Sequence, residues 1–481
     1  MLIRGGLIAL PGQSDLRRAS VRVRDERVAE ISESLAPEAG EEIVEAEGLL
    51  VLPGAIDPHV HFDEPGFTSR EDFLHGSAEA ARGGVTTVID MPCTSLPPVL
   101  DAAALDNKLA HVSKSALVDF ALYGGVSGHR IEESLRRPGA SARDSDGGGA
   151  MAELAPRVVG FKCYFVSGME SFTRVTHEGF ARVVAEAERL GRPVLLHAED
   201  FDYVTAATAR VKAARGSARP EWSDYADSRP EAAELAAVAA ATGLARSRES
   251  TLHIVHVGTA AAAEIAHRAG ATCETCAHYL AFGREDFAEK GAALKTAPVV
   301  KGLSERELLW RLLADGSIDF LASDHAPCTL EEKETGDPWT AYGGIPGVGT
   351  GFPFLISEGL LGRRRMTLAR FLDATSGAAA RRYGLAGRKG SLEPGKDADF
   401  VLVDPDASTR VMGSRLLSKG RVTPFEGMEL RGAIASSYVR GKRVYDSRAV
   451  DGRGGAGRSP AGLPGIVAEP GSGRFLTWGY L

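Results

Sequence analysis

The chain has 481 residues, 44% hydrophobic and 25% charged, the balance of a globular protein with one barrel-sized domain and a satellite, or two to three ordinary domains. A net charge of −8 without a basic stripe excludes nucleic acid as the main partner, and no apolar run reaches the roughly 18 residues that cross a bilayer. Five cysteines exclude a disulfide framework, and the start Met1-Leu2-Ile3-Arg4-Gly5-Gly6 lacks a signal-peptide layout, so a cytoplasmic location is expected.

Residues 1–52 alternate in period two, as in Ser20-Val21-Arg22-Val23-Arg24, and are broken by turns. From residue 53 onward short apolar strands alternate with longer Ala-rich helical stretches. The run 49–56 carries a turn signal and leads into Asp57-Pro58-His59-Val60-His61. Further strands are expected at 85–90, 119–123, 158–164, 193–197 and 252–257, then in the segment ending Cys276-Ala277-His278, and at 318–325. Between them, residues 228–245 read as a helix capped by Ser228, and residues 304–314 as one capped by Ser304. Strands separated by helical patterns imply βαβ units, and eight of them predict an α/β fold, a (β/α)₈ barrel over residues 53–384. Residues 385–449 return to period-two alternation, as in Ala398-Asp399-Phe400-Val401-Leu402-Val403. Together with residues 1–52 they should form one small β-sandwich domain. The Gly, Ser, Asp and Arg-rich segment 137–149 and the Gly/Pro-rich tail 450–481 read as mobile.

Side chains at i and i+2 of a strand share a face, so His59 and His61 can aim at one point with nitrogens suited to a divalent metal. Similar groups recur at the C-terminal ends of later strands, where barrel active sites are built: Lys162, His197, His256 and Asp324. His253 should share the face of His256 but lie deeper, as a core histidine. Cys273-Glu274-Thr275-Cys276 matches C-x-x-C, but residues three apart on a strand face opposite sides, which argues against a redox or zinc role.

With these residues the chain resembles the cyclic amidohydrolases, the group of allantoinases, dihydroorotases and hydantoinases, from about residue 48 to 440. The resemblance implies that His59, His61 and Asp324 hold one divalent ion and His197 and His256 a second. It also implies that Lys162 reacts with CO₂ to give a carbamate bridging the pair, usually zinc. An unmodified ammonium beside two dications would be repelled, which agrees with that assignment. Asp324 then carries a proton from the attacking water to the leaving amide nitrogen. A non-catalytic assembly partner of the same family would lack ligands; all six are present. Relatives are often dimers or tetramers, so a homo-oligomer acting on a small cyclic ureide or amide is expected.

Several stretches resemble allantoinase: Gly160-Phe161-Lys162-Cys163-Tyr164-Phe165, Glu274-Thr275-Cys276-Ala277-His278-Tyr279-Leu280, Ser323-Asp324-His325-Ala326-Pro327-Cys328 and Tyr342-Gly343-Gly344-Ile345. The segment Glu64-Pro65-Gly66-Phe67 and the Met91-Pro92 pair followed by Thr94 have a dihydroorotase flavour. Dihydroorotases place Arg and Asn where this chain has Asp63 and Cys93, and an aspartate there would repel a substrate carboxylate by about 1 kcal/mol or more. Asp63 also departs from the Asn usual in allantoinases, and suits a neutral ureido or amide donor. Ser167 stands where hydantoinases carry an oxyanion-supporting Tyr. His325 begins a loop and is expected to touch substrate, and the backbone around Gly344 to approach it closely.

Overall fold

A computed structural model describes residues 1–9, 14–136, 149–450 and 459–481. Eight parallel strands form the barrel: β1 Ala55–Val60, β2 Val85–Asp90, β3 Asp119–Leu122, β4 Phe161–Tyr164, β5 Val194–His197, β6 Leu252–Ile254, β7 Thr272–Cys276 and β8 Phe320–Ala322. Their β-branched and apolar residues are buried on both faces, as expected of a parallel sheet covered by helices. Neighbours pair in parallel from Ala55 opposite Val85 round to Cys276 opposite Ala322, with β3 reaching β4 through Gly124–Gly125. The ring closes where Val60 bridges His325 and the His61 amide donates to the His325 carbonyl at 2.7 Å. Closure therefore falls on the segments that carry the expected ligands His59, His61 and Asp324.

Several of the connecting helices start on side-chain caps. Asp72 accepts from the His75 amide at Phe73–Arg82, Thr176 from Gly179 at His177–Arg189, and Asp200 from Tyr203 at Phe201–Arg215. Two expected serine caps are displaced. The helix Glu231–Leu244 begins after Pro230, because the Ser228 hydroxyl instead donates to the Tyr225 carbonyl at the end of the preceding helix. The helix Leu303–Asp315 begins after Gly302 rather than at Ser304.

The two chain ends interleave in a single eight-stranded mixed sheet. Leu50–Pro53 pairs antiparallel with residues 400–403 of the strand Phe400–Arg410, and parallel with Leu2–Ile8. This β-sandwich domain has its own small core, including Ile3, Val21, Val51, Phe400 and Tyr438.

The mobile segment expected at 137–149 lies outside the described residues up to 148, as does the stretch 451–458 of the tail. Residues 459–481 correct the expectation of a loose tail. Ile466 and Leu476 are buried, the Phe120 amide donates to the Arg474 carbonyl at 3.0 Å, and the Leu476 amide donates to the Phe120 carbonyl at 2.7 Å. The tail buries apolar side chains that its Gly and Pro content concealed. No helix among the described residues is long and apolar enough to cross a membrane.

Candidate metal centre

Five strand ends bring the six expected groups to the barrel mouth. His59 Nε2 lies 3.3 Å and His61 Nε2 3.5 Å from the same oxygen, Asp324 Oδ1. Across the mouth, His197 Nδ1 and His256 Nε2 face each other at 3.1 Å, and the His59 and His256 rings are 5.2 Å apart. Lys162 is fully buried on β4, its Nζ without a hydrogen-bond partner among the described residues. Burial holds its ammonium below the ordinary lysine range. Burial alone would raise the Asp324 carboxyl, but His59, His61 and His256 outweigh it and hold the group well below the usual carboxylate range.

This arrangement fits metal ions. His59 Nε2 has no hydrogen-bond partner among the described residues, a costly state for a buried ring nitrogen that points at a carboxylate and other imidazoles. His59, His61 and Asp324 could hold one ion and His197 and His256 another, with Lys162 between. Backbone strain marks the same place: Asp63, His256 and Asp324 all have positive φ (55°, 41° and 47°), unusual for side chains of this kind.

A family model described as amidohydrolase family matches residues 50–444. The chain belongs to the amidohydrolase family. Metal dependence is a property of that family, in keeping with the donor set at the barrel mouth. The chain is 39% identical to an allantoinase from Rubrobacter xylanophilus, over 95% of this chain and 96% of that one. It is 36% identical to a dihydroorotase from Halobacterium salinarum, covering 92% and 97%. Among solved structures, an L-hydantoinase from Arthrobacter aurescens superposes with a TM-score of 0.87 at 28% identity, covering 99% of each chain.

Of the expected substrate contacts, Cys93 lies beside His61, and Asp63 follows His61 by two positions. Asp63 is buried, and neither carboxylate oxygen has a hydrogen-bond partner of normal geometry among the described residues. Burial pushes its carboxyl up to about 7, against the opposing pull of His61 and the Thr94 hydroxyl. Cys93 Sγ lies 3.1 Å from the Tyr164 hydroxyl and 3.8 Å from His61 Nδ1, and the Tyr164 ring stacks on His197 at 5.2 Å.

The other three expected contacts are engaged within the protein. His325 is fully buried; Nε2 meets Glu71 at 3.1 Å and Nδ1 accepts from the Gly347 and Val348 amides, so neither nitrogen remains for substrate. The Ser167 hydroxyl is spent locally, donating to the Phe172 carbonyl at 2.7 Å and accepting from the Met169 amide. The Gly344 amide donates to the Lys295 carbonyl at 3.0 Å, and a Cβ there would lie 2.3 Å from the Ala326 carbonyl. Gly344 serves close packing of its loop.

His253 is a core histidine, as expected, yet it belongs to the site's support. Its Nε2 lies 3.2 Å from Glu274 Oε2, while Glu274 Oε1 meets His59 Nδ1. Burial pushes the Glu274 carboxyl well above its usual range, with Lys162 pulling the other way. Behind His197 stands Glu199, 3.1 Å from its Nε2 and paired with Arg229. Sequence reasoning passed over both glutamates. The available signals were a charged residue inside a buried strand, and an acid two positions after a candidate ligand.

Proposed function

We propose that the protein is a two-metal hydrolase that opens a cyclic amide at a C–N bond, with allantoin, opened to allantoate, as substrate. The observation that carries this reading is the convergence of His59, His61 and Asp324 opposite His197 and His256, beside Lys162, whose Nζ makes no hydrogen bond among the described residues. Carbamylation of Lys162, a new N–C bond to CO₂ with loss of a proton, would turn that buried amine into a bridging carboxylate. When bound, two divalent ions such as Zn²⁺ supply Lewis acidity at the carbonyl and bring the pKa of water near neutrality.

The chain's own residues then account for the proton and the substrate. Asp324, held ionised, accepts a proton from water as the C–O bond forms. It returns that proton to the ring nitrogen as the C–N bond breaks, leaving a carboxylic acid that ionises and a free amide or ureido N–H. Asp63, buried and with neither carboxylate oxygen in a hydrogen bond of normal geometry among the described residues, receives N–H groups of a neutral ureide.

Dihydroorotase is the second reading, favoured by the Halobacterium relative, and a hydantoinase-type activity the third, favoured by the solved structures. Asp63 and Cys93 argue against dihydroorotase, since neither can pair with a substrate carboxylate. The reading includes a cytoplasmic location, supported by five cysteines that are all free and buried. It also includes a homo-oligomer, checked by gel filtration with light scattering.

The deciding experiment is a panel of allantoin, dihydroorotate, hydantoin and dihydrouracil with the zinc- and bicarbonate-reconstituted protein. Allantoin should turn over fastest, and Asp63→Ala should raise its KM about tenfold, the loss of roughly one good hydrogen bond to a charged group. Turnover of dihydroorotate alone overturns the ranking.

A further inference from the structure

Each histidine at the barrel mouth is backed differently on its far side. His61 Nδ1 meets the Thr94 hydroxyl at 3.2 Å and Cys93 Sγ at 3.8 Å, neither of them a carboxylate, and His256 Nδ1 has no partner among the described residues. His197 is backed by Glu199, whose charge is shared with Arg229. His59 is backed by Glu274, which has no arginine or lysine in salt-bridge contact among the described residues. Its other oxygen goes to His253, and His253 Nδ1 ends the line on the Thr272 hydroxyl at 2.8 Å. Thr272, His253, Glu274 and His59 thus form one chain across three strands, with Glu274 and His253 fully buried.

With Glu274 ionised, this chain has a self-consistent hydrogen pattern. A carboxylate only accepts, so Glu274 takes Nδ1–H from His59 and Nε2–H from His253. His253 Nδ1 is then an acceptor, which the Thr272 hydroxyl can satisfy. His59 is left with its Nε2 lone pair facing Asp324, the tautomer a metal ligand needs. With the opposite tautomer, His59 would present an N–H to the same spot and could not ligate.

We propose that Glu274 is a positioning residue that fixes the tautomer and ring orientation of His59, and thereby governs occupancy of the His59/His61/Asp324 metal position separately from the His197/His256 position. His253 is the second arm of the same device. It turns the free oxygen of Glu274 into a satisfied acceptor and leaves the carboxylate no other direction in which to rotate. This inference rests on the two-metal reading above.

The test uses the full chain reconstituted with Zn²⁺ and bicarbonate, reading zinc per chain and its loss to a chelator series, with thermal unfolding of the metal-free form as control. Wild type should release zinc in two separable steps. Glu274→Gln preserves shape and can keep both bonds if His253 changes tautomer, yet it removes the charge. One of the two release steps should shift to roughly 10–100-fold weaker binding. Glu274→Leu should retain a single ion. Glu199→Gln, behind His197, should weaken the other step instead, and Co²⁺ in place of Zn²⁺ should report which ligand set is lost through its visible absorption.

The proposal is overturned if Glu274→Gln holds both ions as tightly as wild type. It is equally overturned if both steps weaken together in step with a lowered apo midpoint, which is what a merely structural role predicts. If Glu274→Leu fails to fold, Glu274→Gln alone decides between these outcomes. A wild-type chain that takes up no zinc would overturn the two-metal reading itself, a result distinct from either.

Discussion

Two buried clusters at opposite ends of the barrel look alike by geometry and differ in chemistry. At the mouth, His59, His61 and Asp324 bring ligand atoms within 4.8 Å of one another; at the foot, Asp119, Asp397 and Asp399 do the same. The foot cluster already holds a cation of its own. Lys389 Nζ lies 2.5 Å from Asp119, 2.9 Å from Asp397 and 2.7 Å from Asp399, with Arg440 on Asp119 and Arg388 on Asp397. This knot ties β3 to the sandwich and to the tail, where Arg440 donates to the Ser472 carbonyl. At the mouth the nearby lysine, Lys162, makes no hydrogen bond among the described residues, and His59 Nε2 is likewise unsatisfied. Convergent ligands alone therefore do not define a metal centre. What separates the two clusters is whether the protein has already neutralised them.

The largest expected effect tests the mouth. Lys162→Ala should reduce metal content below about two ions per chain and cut kcat/KM on the order of a thousandfold, the loss of several kcal/mol of charge stabilisation. Metal analysis and steady-state kinetics check it, and full activity would sink the two-metal mechanism. At the foot, Lys389→Met strands the buried Asp399 and leaves Asp119 and Asp397 with one arginine each, and should destabilise the fold by roughly 3–5 kcal/mol in denaturant unfolding. Zinc per folded chain should stay at the wild-type value. Loss of zinc there would show that the two clusters are coupled, and the contrast between them would fail.

A smaller effect comes from Asp72, on the loop beside the mouth. Burial opposes its ionisation, but His75 and Lys419 outweigh burial and hold the carboxyl down to about 2. Its ordinary value is 3.8, so the folded pKa is depressed and the stabilisation is present above that pH and lost as pH falls towards 2. After solvent screening the contribution is about 1 kcal/mol. Asp72→Asn should therefore lower the unfolding midpoint slightly at pH 7, with the gap closing between about pH 4 and 2. A gap that stays constant across that window would show that Asp72 acts through its shape alone.

Sequence by itself determined the barrel, the small β domain built from both chain ends, and the identity of the six strand-end groups. Those features are local: period-two apolar runs, helical spacing, and imidazole, amine or carboxyl side chains where strands stop. Only the tertiary structure decided how the neighbouring groups are spent. His325, Ser167 and Gly344 read as substrate contacts in the chain but are engaged elsewhere by Glu71, Phe172 and Lys295. The tail reads as loose, yet Ile466 and Leu476 are buried. Glu274 reads as one residue of a strand and proves to back His59, 215 positions away. The physical reason is the same in each case. A donor's or acceptor's role depends on which partner reaches it first, and barrel closure sets those partners across distances that no local pattern encodes.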